Sequence, residues 1–182
     1  PVGPLRVRQM AWWRAPALPA SSLVIGNLPL NDPNVEFCLK SLIGTLPIML
    51  GDPREVPEEK REMLHAWADW MRDMQEKYNY MGYRKDLEGF GEPREGHWDG
   101  WQRINFQTGE GGIFGVFRQG APEVKRTVFL TDLIPDEHYT IRQAPSGEVV
   151  HKATGGELMH TEGFPVQMKE EYKGKIYEVR IE

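Results

Sequence analysis

Leu46-Pro47-Ile48-Met49-Leu50 is a short apolar run that stops at once on Gly51-Asp52-Pro53. Its length and its flanking breakers read as a buried strand rather than a helix. Downstream, Pro57 starts a helix, Glu58 and Glu59 suit the positive end of its dipole, and the pattern runs to about Tyr78. Met63, Trp67, Trp70, Met71 and Met74 recur at three- and four-residue steps, with Glu62, Asp69, Arg72, Asp73 and Glu76 elsewhere. This is an amphipathic helix whose bulky stripe reads as core packing before it reads as a ligand platform. Upstream, Ser22-Leu23-Val24-Ile25-Gly26 is a second strand-like run, approached through Pro16 and Pro19. Between the two runs Asp32 can cap a helix and Pro33 fits its first position; Val35, Cys38, Leu39, Leu42 and Ile43 share a face, and Gly44 ends it. The order strand, helix, strand, helix is that of parallel α/β architecture.

From about Gly82 to Gly96 glycines and prolines sit among charges with no apolar period, which reads as a connector. The remainder is strand-rich. Gly112–Arg118 and Arg126–Leu130 are apolar or β-branched runs, and Tyr139 and Ile141 alternate with polar neighbours. Phe164, Val166 and Met168 recur at every second position, with Pro165 hinting at an edge. Tyr177, Val179 and Ile181 alternate with Glu178, Arg180 and Glu182. Turn chemistry falls at Thr108-Gly109, Pro145-Ser146-Gly147 and Gly155-Gly156. Roughly five to eight short strands at such spacing predict an antiparallel sandwich. The expected organisation is α/β over 1–81, a connector over 82–96 and an antiparallel β-sandwich over 97–182.

The 182 residues suffice for about one domain or two small ones, and 40% hydrophobic with 27% charged residues is ordinary globular composition. A net charge of −5 gives no basic field for a phosphate backbone, so nucleic acid is not an expected partner. Cys38, the single cysteine, excludes an internal disulfide framework and any cysteine-based zinc cluster. No apolar run approaches the roughly 18–20 residues of a membrane span, so no membrane partner is expected. Pro1-Val2-Gly3-Pro4 opens without Met and without a signal-peptide pattern, as in a processed or excised piece. The compartment stays open between cytoplasm and secretion.

Candidate chemistry is sparse. His65, His97, His138, His151 and His160 form no short-spaced pair and have no cysteine beside them, so no metal site is expected. Gly109-Glu110-Gly111-Gly112 lies between strands, without the helix a phosphate cradle needs, and reads as a turn. Asp52 is the best-placed carboxylate, because functional groups collect at the carboxyl ends of parallel strands. It either carries such a role, as a substrate-binding residue, or shapes the turn into Pro53. Trp12-Trp13-Arg14 is the second candidate: the indoles either stack on a sugar face, with Arg14 donating hydrogen bonds, or one of them packs in the core.

Pro47 to Asp52, the helix over Pro57–Tyr78 and the all-β tail together resemble the end of a clan D glycoside hydrolase, the α-galactosidase and α-N-acetylgalactosaminidase group. In that family a catalytic (β/α)8 barrel precedes an antiparallel β domain. Its last barrel strand carries a Pro-apolar-apolar-apolar-Gly-Asp-like stretch before a closing helix. On this resemblance Ser22–Gly26 and the Asp32–Ile43 helix are the penultimate strand and helix. Gly112–Arg118 resembles an early strand of the β domain, and Thr154-Gly155-Gly156-Glu157-Leu158 through Gly163-Phe164 a segment before its last strands. The implied fold is the last βα units of a (β/α)8 barrel plus a C-terminal antiparallel β-sandwich. The implied activity is retaining hydrolysis of α-linked glycosides, without a cofactor, by an Asp nucleophile and an Asp acid/base on earlier barrel strands. Retention needs these carboxyl groups only about 5–5.5 Å apart. Neither Asp motif is present; Lys85-Asp86 is superficially similar to the nucleophile context but falls in the connector. No catalytic residue is therefore assigned, and the segment is expected to supply pocket wall and closure for a carbohydrate substrate.

Two parallel strands cannot close a barrel, and their open edges invite pairing. Residues 1–96 are thus expected to complete a sheet supplied by preceding sequence or by another chain. The competing readings are a carbohydrate-binding sandwich, with Trp98 and Trp101 as its platform, and an interaction subunit. Three residues apart on a strand, those two indoles would face opposite sides.

Overall fold

The computed structural model describes residues 2–182. In chain order it contains α1 (Val2–Arg14), β1 (Asn27–Pro29), α2 (Val35–Leu42), β2 (Ile48–Leu50), α3 (Glu58–Tyr78) and β3 (Lys85–Asp86). There follow β4 (His97–Ile104), β5 (Gly111–Gln119), β6 (Lys125–Val128), β7 (His138–Gln143), β8 (Glu148–Thr154), β9 (Phe164–Gln167) and β10 (Tyr172–Ile181). The fold is mostly antiparallel sheet with few helices.

The long helix forms where its apolar period lies. Trp67, Trp70, Met74 and Tyr78 are buried, Trp67 and Trp70 meet edge to face at 5.7 Å, and Asn79 in the left-handed region ends α3. Helix α2 is shorter than the expected Asp32–Ile43 helix: Asp32 Oδ1 accepts from the Asn34 amide at 2.6 Å, so the aspartate shapes a turn ahead of the first helical residue, Val35. The strand expected at Ser22–Gly26 is displaced to Asn27–Pro29, because Gly26 adopts φ +74° and breaks the extended run. Pairing still reaches back, with Leu46 donating to the Leu23 carbonyl at 2.9 Å and Ile48 to that of Gly26 at 3.3 Å. Helix α1 occupies a stretch, ahead of the proline-rich approach at Pro16 and Pro19, for which the sequence predicts no element. Pro4 falls in its first turn, where a missing N–H costs nothing, and Val7 and Ala11 share its buried side.

Six strands form one antiparallel sheet in the order β3-β4-β5-β10-β7-β8. β5, at its centre, alternates cleanly. Ile113 and Phe117 join Trp101 and Ile176 against Val35, Phe37, Trp67 and Trp70 of the helices, whereas Phe114 and Val116 face a second core with Tyr177 and Val179. That second core is closed by Val128, Phe164 and Val166 from the two-stranded ribbon β6-β9. The tail is thus a lopsided sandwich. One face of its main sheet meets a ribbon, and the other shares a core with the helices of the first half. Trp98 and Trp101 lie in different cores, as their spacing requires, and Trp98 Nε1 donates to the Glu123 carbonyl at 2.8 Å. With both indoles buried, neither forms an exposed platform.

β1 and β2 form a separate parallel pair with Asn27 opposite Ile48 and Pro29 opposite Leu50. Among the described residues neither strand has a second partner. Contrary to the buried strand expected at Leu46–Leu50, Ile48, Met49 and Leu50 are 52%, 69% and 48% exposed.

Candidate functional site at the strand ends

The carboxyl ends of β1 and β2 open side by side. Leu30 N–H donates to the Leu50 carbonyl at 2.9 Å, after which the chains diverge into Asn31-Asp32 and Gly51-Asp52. Gly51 takes φ +117°, a backbone that side chains rarely adopt, and lies beside Asn31. Asp52 then caps a short 3-10 turn over Pro53–Glu55. Its Oδ1 accepts from the Arg54 amide at 2.9 Å, and Arg54 Nη2 closes a salt bridge to Oδ2 at 2.7 Å. Hydrogen bonds from the Arg54 side chain and then its amide hold the Asp52 carboxyl below its ordinary range, so it is ionised at neutral pH. The turn-shaping function of Asp52 is therefore visible, and the same carboxylate stands at the rim of the paired strands.

Trp12 and Trp13 belong elsewhere. The first turns of α1, with Gly3, Pro4 and Val7, share an open groove of about 800 Å³ with Asp32 and Asn34 beyond the end of β1. The last turn of α1 lies at the opposite end, where Trp12 lines a small cavity with Ser41, Asp99 and Trp101. Trp13 is 59% exposed, and its Nε1 donates to Glu92 Oε1 at 2.9 Å. The structure thus separates the two indoles from Asp52 instead of gathering them.

The polar centre that the sequence reading missed is Arg8. Its guanidinium meets Asp99 through Nε at 2.9 Å and Nη2 at 3.1 Å, Ser41 Oγ at 2.9 Å and Gln119 Oε1 at 2.7 Å. It also lies 4.5 Å from the Phe117 ring centroid. One side chain on α1 therefore fastens α2, β4 and β5. Burial pushes the Asp99 carboxyl up, against the opposing pull of Arg8. A second tie joins α3 to β10: Lys77 Nζ and Tyr78 Oη donate to Glu178 Oε1 at 2.7 and 2.6 Å. Burial, with Glu178 adding to it, pushes the Tyr78 hydroxyl well above its usual range, so it remains a donor. Partners 91 and 100 residues apart leave no local signal. The one available hint was a charge at every second position around Trp101, as Asp99 and Arg103, inside an otherwise buried strand. Among the described residues no His, Cys, Asp and Glu cluster could hold a metal ion.

No family model and no curated protein matches the sequence. Solved structures do. The galactosidase domain of an alpha-galactosidase-sucrose kinase superposes with a TM-score of 0.77 at 15% identity, over 98% of this chain and 25% of that one. The GH36 alpha-galactosidase from Geobacillus stearothermophilus gives 0.78 at 12% identity, over 98% of this chain and 24% of its own. The alpha-galactosidase from Lactobacillus brevis gives 0.64 at 10%, over 86% and 22%. The chain spans about a quarter of the length of the solved structures it matches. The resemblance to the α-galactosidase group of clan D glycoside hydrolases holds at the level of fold. Fold alone does not carry activity.

Proposed function

We propose that this chain is the closing part of a retaining α-glycosidase of α-galactosidase type, with β1 and β2 as the last two strands of its (β/α)8 barrel and α3 as the closing helix. The observation that carries the reading is β2, an apolar strand that among the described residues is paired on one edge only, with its side chains about half exposed or more. Barrel strands acquire their cover from neighbours, and preceding sequence or another chain would supply it here. Support comes from the fold likeness over 98% of the chain to enzymes about four times as long, one of them crystallised with raffinose and with stachyose. The substrate class is accordingly an α-linked galactoside. The catalytic carboxylate pair lies upstream, and this segment supplies closure and pocket rim.

In this proposal Asp52 faces the sugar at the carboxyl ends of the strands. Trp12 and Trp13, at the other end, contact no part of the same sugar residue. A chromogenic α-galactoside is expected to be hydrolysed by the longer protein and left untouched by the 182-residue chain. Asp52→Asn in the longer protein should raise KM by about 2- to 10-fold, the worth of one hydrogen bond, with kcat little changed. Turnover by the 182-residue chain alone would overturn the assignment, as would tight glycan binding by residues 97–182 on their own.

A further inference from the structure

The connector from α1 to β1, residues 15–23, borders an open hollow of about 440 Å³ together with the turn after α3 and the start of the β4–β5 turn. The hollow lies at the amino end of β1, away from the Asp52 rim at the carboxyl ends of the strands. Its volume is that of a site for a small organic ligand. Phe106 on its wall is 58% exposed and yet held in place, because its ring meets Tyr83 edge to face at 5.1 Å and 88°. Tyr83 Oη in turn reaches Gln107 Oε1 at 3.4 Å. Leu18, also exposed, and Met81, half-buried, extend the apolar part of the wall.

The polar groups of the wall select among ligands. The amides of Ala17 and Leu18 both donate to the Arg14 carbonyl at 3.0 Å, whereas the carbonyls of Ala15, Pro16, Ala17 and Leu18 accept no hydrogen bond among the described residues. Pro16 and Pro19 fix the connector's backbone, so little freedom is lost when a ligand binds. The charges nearby are already matched. Arg84 pairs with Asp86 at 2.8 Å, and Lys85, 5.8 Å from the Phe106 ring centroid, pairs with Asp132 at 2.7 Å. Arg103 is almost wholly covered and donates to the carbonyls of Tyr83 and Gly44, so it offers little to an anion. A carboxylate would meet open carbonyls and matched cations, and a purely apolar ligand would strand those carbonyls. A neutral pyranose suits both features. Its C–H face packs on the electron-rich face of an aromatic ring, and its hydroxyls donate to carbonyls and accept from a guanidinium.

We propose that this hollow is a saccharide-binding site remote from the Asp52 rim, with one neutral pyranose ring lying on Phe106 and its hydroxyls shared between the connector carbonyls and Arg84. The site stands on its own geometry and does not depend on the glycosidase reading. The test is amide NMR of the 182-residue chain titrated with raffinose and, separately, with benzoate as an aromatic carboxylate. Raffinose should shift the amides of Leu18, Tyr83 and Phe106 saturably, and benzoate should leave them in place. Phe106→Ala removes an exposed ring and is expected to weaken the apparent raffinose constant about tenfold with the melting temperature little changed. Phe106→Tyr keeps the ring and should retain binding. Arg84→Met should weaken binding as well; if it fails to fold, the Phe106 variants decide alone. In the longer protein Phe106→Ala should leave hydrolysis of a chromogenic α-galactoside unchanged, so failure here and failure of the glycosidase reading are told apart. Raffinose shifts that are absent or confined to the Asp52 rim, an unchanged constant in Phe106→Ala, or benzoate seated on the same amides would overturn the proposal.

Discussion

Strand β5 is hydrogen-bonded to β4 and β10 and covered on both faces, by helices on one side and by the β6-β9 ribbon on the other. Strand β2, no less apolar, has one neighbour among the described residues, and its three side chains stand about half exposed or more. Burying a Leu, Ile or Met side chain is worth about 1.5–3 kcal/mol, so β2 leaves unclaimed a gain that β5 has fully taken. The difference is one of cover. The chain contains the surfaces that β5 needs, whereas β2, on the proposal above, finds its cover in preceding sequence or in another chain.

The sharpest way to break this contrast is to truncate one side chain on each strand. Phe117→Ala empties a site that is fully buried, 6.2 Å from the Phe37 ring centroid and 4.5 Å from the Arg8 guanidinium. It should cost about 3–5 kcal/mol in urea unfolding. Met49→Ala in the same chain should fall within about 0.5 kcal/mol of the parent. Comparable losses at the two positions would show β2 to be supported within the chain.

The contrast sharpens when the protein is longer. If upstream sequence covers β2, Met49→Ser should cost about 1.5–3 kcal/mol there while remaining silent in the 182-residue chain. Amide exchange reports the same difference without mutation, since β1 and β2 should exchange rapidly alone and slowly when covered, with β5 slow in both. A silent Met49→Ser in the longer protein would remove the basis for a missing cover.

How much of this was legible follows from where the information lies. The α3 stripe and the alternation of Tyr177, Val179 and Ile181 are local, and both elements formed where the period ran. Helix α1 escaped notice because its apolar residues are not confined to one face and two charged residues, Arg6 and Arg8, interrupt them; Arg8 is buried only because Asp99, 91 residues away, receives it. β8 was missed because Val149 and Val150 are adjacent and both exposed, giving no period of two. At the candidate site Asp52 could be placed at a strand end from Gly51 and Pro53 alone. No such local signal could separate Trp12 and Trp13 from Asp52, because the direction of α1 relative to β1 is set by packing between distant elements.

Acid should expose the smallest difference between the two regions. Glu95, beside β5, accepts from Tyr172 Oη at 2.6 Å and Gln119 Nε2 at 3.1 Å, and these bonds hold its carboxyl below the ordinary value. Asp52, beside β2, is lowered in the same direction by Arg54. A carboxyl lowered in the folded state contributes stability that is present above its unfolded value and lost as the pH falls through the folded one. The window therefore lies below about pH 4.5 for Glu95 and below about 3.8 for Asp52, the values of the free groups. The partners of Glu95 are 77 and 24 residues away and are absent from the unfolded chain, whereas Arg54 is two residues from Asp52 and can still find it there. Glu95→Gln should accordingly flatten the acid limb of a plot of urea midpoint against pH, and Asp52→Asn should leave it nearly unchanged. An equal flattening by both would mean that the rim beside β2 is tied into the fold as firmly as the edge of β5.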